Sequence, residues 1–488
     1  MTFRRLVVAF TFLAIFAMAM RISIVSDTWW HLRAGAWIVE NRQILRADPF
    51  SLTRAGHSWV YPGWLAQVVL YAIYRVWGYA GLNLLTALLA ALAFIPVWLI
   101  SKGRPIIRSF VLILSAAAAS VFWSARLQMV SFTLAGVTLW LIETARAGHR
   151  KRLWLVPPLV ALWANMHGGF AIAFLILLAY IGGEIMRGVV ALARKEDSAE
   201  RVWPARWQEL KPLLLIFAVS VGAISLNPHG PQMILYPFKT VSIEVLRAHI
   251  QEWQSPDFHQ PQVLPFLFLI LLLVAAYGTS RRVVSPEELL LVSGFLALAL
   301  TAGRNIAIFA LLSAPSIAAH LDAAFAPGAD TRWGGEVPPR LARRLNIVLL
   351  LLFVIAAGAK ATIPLSQAAN LRALEERFPM GAIAYIRQQE PPGPLFNSYN
   401  WGSLILWELY PQYPSFVDGR TDLFNDEILQ EYLDAWRGDS SWEDLFEAWG
   451  IRLVLVEPQA PIRWQLLRAG WKQVYEDDQA VVLQPAGG

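Results

Sequence analysis

Asp27 stands in the motif Ser26-Asp27-Thr28-Trp29-Trp30-His31-Leu32, directly after the first apolar run of the chain. A carboxylate at the edge of an apolar layer is partly dehydrated, which raises its proton affinity and suits it to act as a general base. Trp29 and Trp30 beside it are aromatic neighbours suited to the edge of an apolar layer. On a helix, His31 would share a face with Asp27 four residues earlier. It is a candidate for phosphate binding or proton transfer, with a structural hydrogen bond equally open. Asp27 could also cap a helix beginning near Thr28, a favoured place for Asp. The two roles are compatible. Asp48 precedes Pro49, a turn-forming pair, and reads first as a turn residue and second as an acceptor contact or further acid.

The cations that complement such a base lie at the ends of apolar runs. Arg126 and Arg304 carry a planar fork suited to phosphate oxygens, although snorkelling to lipid phosphates also accounts for them. Lys360, near the end of the last run, is a weaker candidate of the same kind. His167 lies within Trp163-Ala164-Asn165-Met166-His167-Gly168-Gly169-Phe170, where the glycines allow either a head group or a neighbouring helix to come close. Trp401, Asp418 and Arg420, near the C-terminus, could line an acceptor site or form a buried indole and an ion pair. Together these residue types suit a substrate with a polar, anionic head and an apolar tail.

The elements that must hold them are membrane helices. Of 488 residues 56% are hydrophobic and only 16% charged, with a mean hydropathy of +0.46. Apolar runs of about 20 residues recur, the length a hydrocarbon layer of roughly 30 Å demands of a helix. Spans are expected near 6–25, 80–100, 106–124, 127–145, 153–166, 168–187, 211–226, 263–280, 286–303, 304–320 and 344–364. With the N-terminus inside, the basic groups around Lys102, Arg104 and Arg108, Arg146 to Arg152, Arg194 to Arg206, Arg281 with Arg282, and Arg340 to Arg344 all fall on the cytoplasmic side, as insertion requires. That agreement holds only if residues 61–77 do not cross. With Gln67, Arg75 and several aromatics they read as an interfacial helix inside a first external loop covering about 26–79. Residues 6–25 could alternatively be a signal peptide with Ala17-Met18-Ala19 as a weak cleavage site; a retained anchor is the preferred reading.

The fold class expected is therefore mainly α: a polytopic bundle of about eleven spans, N-terminus in and C-terminus out, over residues 1–364. A small external α/β domain follows over 365–488. Within that domain, strands are expected at Pro394–Ser398, Ser415–Val417, Arg452–Glu457, Trp471–Tyr475 and Ala480–Leu483, and helices at Met380–Gln389, Trp401–Tyr410, Asn425–Trp436 and Trp442–Trp449. The net charge of +6 resides in short loops and speaks to topology rather than to nucleic acid. With no Cys in the chain, thiol chemistry and Cys-ligated metals are excluded. No nucleotide-binding fingerprint or His-rich metal motif is present.

The run Asp27-Thr28-Trp29-Trp30-His31-Leu32, with Gly35, Trp37-Ile38, Asp48-Pro49-Phe50-Ser51 and Trp59 through Trp64-Leu65, resembles the first external loop of bacterial GT-C glycosyltransferases. That superfamily includes protein O-mannosyltransferases, the aminoarabinose transferase of lipid A and the catalytic subunit of oligosaccharyltransferase. Trp163–Phe170, Asn227-Pro228-His229-Gly230, Asn400-Trp401-Gly402 and Asp418-Gly419-Arg420 resemble features of uncharacterised members. The resemblance implies transfer of a sugar from a polyprenyl phosphate or diphosphate donor to a lipid, glycan or protein acceptor at the outer face of the plasma membrane. Asp27 would be the base and His31, Arg126, His167, Arg304 and Lys360 candidate phosphate ligands. Trp29, Trp30, Asp48, Trp401, Asp418 and Arg420 would touch the acceptor or support the site. The family's acidic pair in the first loop is not repeated, since Thr28 follows Asp27, and Arg126 and Gln128 stand where a second acid would come. A divalent metal ion is the one cofactor left open, with no ligand set assigned.

A transporter, or a non-catalytic flippase or scaffold partner, is the alternative. Coupled carriers keep ionisable groups near mid-bilayer, whereas Glu143, Glu184, Glu287 and Glu288 lie near the cytoplasmic ends and no inverted repeat is evident.

Overall fold

The computed structural model describes residues 1–195, 198–325 and 338–487. Each of the eleven expected apolar runs contains a helix, although the first, expected over 6–25, ends at Ala19. They appear as Phe3–Ala19, the part of Trp64–Ile100 beyond Gly78, Pro105–Ala119, Gln128–Arg146, Val156–Met166, Ala171–Ala193, Ala199–Ile224, Leu264–Thr279, Pro286–Thr301, Ile306–Ala324 and Pro339–Leu365. Among the described residues, 7 helices are long and apolar enough to cross a membrane, and this is an integral membrane protein. Phe3–Ala19, Gln128–Arg146, Val156–Met166 and Pro286–Thr301 are shorter or less apolar.

Contacts divide the chain into two units. The first comprises Met1–Arg21, Asn83–Ile234 and Gln251–Ile363, and contains the bundle. Its basic loops converge at one end. Arg104 Nε lies 2.7 Å from Asp322, Arg146 2.8 Å from Glu287, and Arg206 3.0 Å from Glu184, while Arg187 also binds Glu287. The grouping of cations deduced from the loop order is thus a physical cluster, neutralised by the acids expected at the same helix ends. The helix expected from 211 begins twelve residues earlier, at Ala199, and runs through Pro204 and Pro212. Its first turns carry Arg201, Arg206 and Glu209, so hydropathy alone conceals them.

The second unit comprises Ile22–Leu82, Leu235–Ile250 and Pro364–Gly488. Four strands, β1 (Leu395–Asn397), β2 (Leu453–Val456), β3 (Lys472–Glu476) and β4 (Val481–Gln484), form a sheet in the order β1-β2-β4-β3. The β1–β2 pair is parallel and the other two pairs are antiparallel. Strand β2, Leu-Val-Leu-Val, is buried throughout, the pattern of a strand covered on both faces. The core around it is shared along the chain. Trp30, Ile38, Phe50 and Trp59 pack in one cluster with Phe396, Phe416, Leu429 and Phe446.

Several expectations are corrected here. Ser415–Val417 is not a strand: Ser415 makes an isolated bridge to Ser51, and the Leu52 N–H donates to the Ser415 carbonyl at 2.8 Å. A helix at Pro461–Arg468, with Pro at its favoured first position, went unanticipated. The Asn425–Trp436 helix starts at Thr421, with Asn425 (φ 59°, ψ −178°) breaking it after one turn. The stretch 61–77 becomes a helix from Trp64, separated from the span that follows by Gly78 (φ 58°, ψ −149°). Met380–Gln389 and Trp442–Trp449 are helices with the bounds expected.

Candidate functional site

In the second unit, the helix Ser26–Asn41 carries Asp27 in its first turn, where the helix dipole favours a carboxylate. Asp27 is not the cap. The Thr28 hydroxyl accepts the Val25 N–H at 3.2 Å, and the Thr28 N–H donates to the Val25 carbonyl at 3.0 Å. The Asp27 carboxylate lies against Gly419: a Cβ built on that glycine would come 2.1 Å from Asp27 Oδ1. Any side chain at 419 would therefore displace the candidate base. Trp29 is fully buried, donates its indole N–H to the Tyr79 hydroxyl at 3.1 Å, and meets Phe378 edge-on. Trp30 stacks near His31 with ring centres 3.6 Å apart, in a cluster completed by Trp59, Tyr61 and Tyr236.

Asp48, Asp418 and Arg420 form one closed group. Arg420 grips Asp418 with two hydrogen bonds, 2.8 Å from Nε and 2.7 Å from Nη2, and reaches Asp48 through Nη1 at 2.5 Å. Asp48 also accepts the backbone N–H groups of Phe50 and Ser51, both at 3.0 Å, which makes it the turn residue its Pro neighbour implied. Aromatic rings of Phe50, Trp59 and Phe424 surround the guanidinium. The side chains of all three charged residues are 0–1% exposed. Burial works against the Arg420 charge, but Asp418 and Asp48 outweigh it and raise the pKa above the ordinary arginine value. Trp401 is buried nearby in sequence, at the residue that directly precedes the helix Gly402–Glu408.

Asp422 was not singled out by the sequence. It accepts a long hydrogen bond, 3.4 Å, from the Tyr236 hydroxyl. Burial raises its pKa from 3.8 to about 6 against the opposing field of Arg420. A carboxyl titrating there can take up or release a proton near neutrality.

In the first unit, a different cluster gathers at the end of the bundle away from the basic loops. The helix Gln128–Arg146 separates Arg126 from Arg146 by about 28 Å at 1.5 Å per residue. Arg126 Nη2 lies 2.9 Å from Glu252 Oε2, and Arg304 Nη1 lies 3.8 Å from Glu252 Oε1. One carboxylate thus stands between two guanidiniums. Burial alone would raise the Glu252 pKa, but Arg126 and Arg304 outweigh it and hold it below the ordinary carboxylate value. Arg304 also lies over the Trp253 ring at 4.1 Å, and the Gly303 N–H donates to the Gln254 carbonyl at 2.9 Å, so the segment 251–254 is tied to residues 303–304.

His167, in the turn between the helices Val156–Met166 and Ala171–Ala193, belongs to the same group. Its Nδ1 accepts the Gly169 N–H at 3.1 Å and lies 2.6 Å from the Ser131 hydroxyl. Ser131 itself accepts the Trp163 indole N–H at 2.7 Å. Because Nδ1 is an acceptor, the ring is neutral and its proton sits on Nε2, which is then a donor. Burial, then Arg304 and Arg126, lower its pKa to about 3, in keeping with that state.

The structure therefore brings Arg126, His167 and Arg304 together, and separately Asp27, Asp48, Asp418 and Arg420. Lys360 is placed otherwise, donating from Nζ to the Ala17 carbonyl at 2.6 Å within the first unit. Among the described residues, no three His, Asp or Glu side chains converge as a metal-binding group. Glu252, Ser131 and Asp422 escaped the sequence reading. For Glu252 a signal existed: the loop from 227 to 262 falls on the same side as Arg126 and Arg304 in the span count. A lone Ser in a helix and an acid past a turn offered none.

Taken together, the helical bundle and the small sheet-containing domain define a polytopic, mainly α membrane fold. The crystal structure of ArnT from Cupriavidus metallidurans bound to undecaprenyl phosphate matches it with a TM-score of 0.50 at 14% identity, over 99% of this chain and 98% of that one. No family model and no curated protein matches the sequence.

Proposed function

We propose that this chain is a membrane glycosyltransferase that moves a sugar from a polyprenyl-phosphate donor to an acceptor at the outer face. The observation that carries the reading is the pair of arginines, Arg126 and Arg304, converging on one carboxylate beside a neutral, donor-bearing His167. Such a cradle suits a phosphate in donors and charge. The fold likeness to a protein bound to undecaprenyl phosphate supports a lipid-linked ligand. Asp27 is the candidate general base, and Gly419 leaves its carboxylate room. Asp48, Asp418 and Arg420 are too deeply buried to touch an acceptor in this state and act by holding the segment that carries Gly419. Trp29 and Trp401 support the site from within the core, whereas Trp30 and His31 sit in the aromatic cluster beside it. Lys360 braces the end of the first helix.

The test is sugar transfer by purified protein from radiolabelled polyprenyl-phosphate sugars in a membrane extract. Asp27→Asn should lower turnover by about 10²–10⁴-fold, the usual worth of a general base, with donor binding intact. Arg126→Gln should weaken donor binding instead. Full turnover in Asp27→Asn removes the base assignment, and a failure of every donor to bind removes the transferase reading.

A further inference from the structure

Two guanidiniums, one carboxylate and a neutral imidazole give the Arg126–Glu252–Arg304–His167 cradle a net charge of +1. We propose that Glu252 lowers this charge so that the site holds the phosphate monoester left by transfer less tightly, relative to the singly charged phosphodiester, than the two arginines alone would, and so releases it. The inference rests on the donor-site reading above and assigns Glu252 a role in telling donor from product.

The chemistry makes the distinction available. The acceptor hydroxyl oxygen forms a bond to the anomeric carbon, and the bond from that carbon to the phosphate oxygen breaks. The electron pair stays on that oxygen, and the hydroxyl proton goes to the base. A sugar phosphodiester carries one negative charge, whereas the polyprenyl phosphate that remains is a monoester with about −1.5 to −2 at pH 7. A cradle of +2 would hold the second more tightly than the first and retain its product. A fixed carboxylate hydrogen-bonded to Arg126 and 3.8 Å from Arg304 repels the extra charge at close range.

Glu252 is held in place to do this. It lies in a short turn, Gln251–Trp253, tied down by the Trp253 ring against Arg304 and by the Gly303–Gln254 hydrogen bond. It is therefore not a loose occupant that a ligand simply displaces. The side chains of Arg126, Glu252 and Arg304 keep 17%, 24% and 31% of their surface exposed, which leaves room for an anion to approach the two guanidiniums beside the carboxylate. The groups whose charge bears on Glu252 are Arg126, Arg304 and His167. The first two stay charged, and His167 stays neutral through its bond from Gly169, so the ligand is the partner that titrates in mildly acidic solution.

The experiment measures binding of farnesyl phosphate and its methyl diester to the purified full-length protein, for wild type, Glu252→Gln and Glu252→Asp. At pH 7.5, Glu252→Gln should tighten the monoester by about tenfold or more and the diester by about threefold at most. Glu252→Asp, which keeps the charge, should resemble wild type. At pH 5.5, where the monoester is largely singly charged, the selective gain in Glu252→Gln should shrink to that of the diester. Equal tightening of both ligands would mean that Glu252 merely plugs the site, and equal weakening in a folded variant would make it a structural brace; either overturns the proposal. Wild-type affinity for both ligands in Arg126→Gln and Arg304→Gln would instead overturn the donor-site reading on which it rests.

Discussion

Two arginine–carboxylate clusters in this chain use the same side-chain chemistry toward different ends. In the second unit Arg420 is shared by two carboxylates, hydrogen-bonded through Nε, Nη1 and Nη2, and sealed at 0–1% exposure. In the first unit the ratio is inverted: two arginines share one carboxylate and all three side chains keep some surface. A closed group with charge −1 has no use for an anion. An open group with charge +1 attracts one. The comparison teaches that stoichiometry and exposure, rather than the presence of arginine, separate an internal brace from a candidate binding site.

The strongest way to break the comparison is to remove the same charge from each. Arg420→Gln leaves Asp48 and Asp418 buried without their counter-ion, a change that typically costs about 3–5 kcal/mol. The protein should unfold at markedly lower temperature or fail to accumulate. Arg126→Gln should leave the unfolding midpoint near wild type and change ligand binding alone. Thermal unfolding in detergent compares the two directly, and equal losses of stability would erase the distinction drawn here.

Much of that distinction could be read in the sequence for one cluster and little for the other. Hydropathy and loop charge marked all eleven helical runs, because burial in lipid demands long apolar helices and insertion sorts the cations. Asp48-Pro49 announced a turn because a short carboxylate before proline bonds the backbone just beyond it. The pairing of Asp48 with Arg420 spans 372 positions and leaves no local trace. Arg126, His167 and Arg304 were legible as cations or donors at helix ends on one side of the layer. Glu252 and Ser131 became visible only through the distances that bring them to those residues. Ser415–Val417 misled because its apolar run marks a buried bend, held by side-chain and backbone bonds rather than by a ladder.

Asp422 sharpens the comparison with a carboxyl whose hydrogen-bonding partner is a phenol. Its folded-state pKa, about 6, lies above the 3.8 of the unfolded chain. Between those values the folded protein holds more protons, so stability falls as pH rises through the window and stays low above it. The cost at pH 7.5 is about 1–3 kcal/mol, allowing for partial exposure at 1.36 kcal/mol per unit. Asp422→Asn should therefore melt above wild type at pH 7.5, and the advantage should vanish below about pH 4. An advantage independent of pH would show that charge is not its origin.

The smallest effect expected is at Ser131, and it tests how the open cradle is supported. The Ser131 hydroxyl accepts from Trp163 and, with the imidazole proton on Nε2, donates to His167 Nδ1. Its loss leaves the buried Trp163 indole N–H without that acceptor, which costs about 1–2 kcal/mol. The Gly169 N–H still reaches Nδ1 in Ser131→Ala, so the proton remains on Nε2 and the ring remains a donor. Only its aim loosens. Ser131→Ala should thus bind farnesyl phosphate within about tenfold of wild type, since a neutral hydrogen bond is worth roughly 1 kcal/mol. If Ser131→Ala instead loses as much affinity as Arg126→Gln, the orientation of His167 outweighs the arginines, and the open cluster owes its ligand preference to a fixed donor rather than to charge.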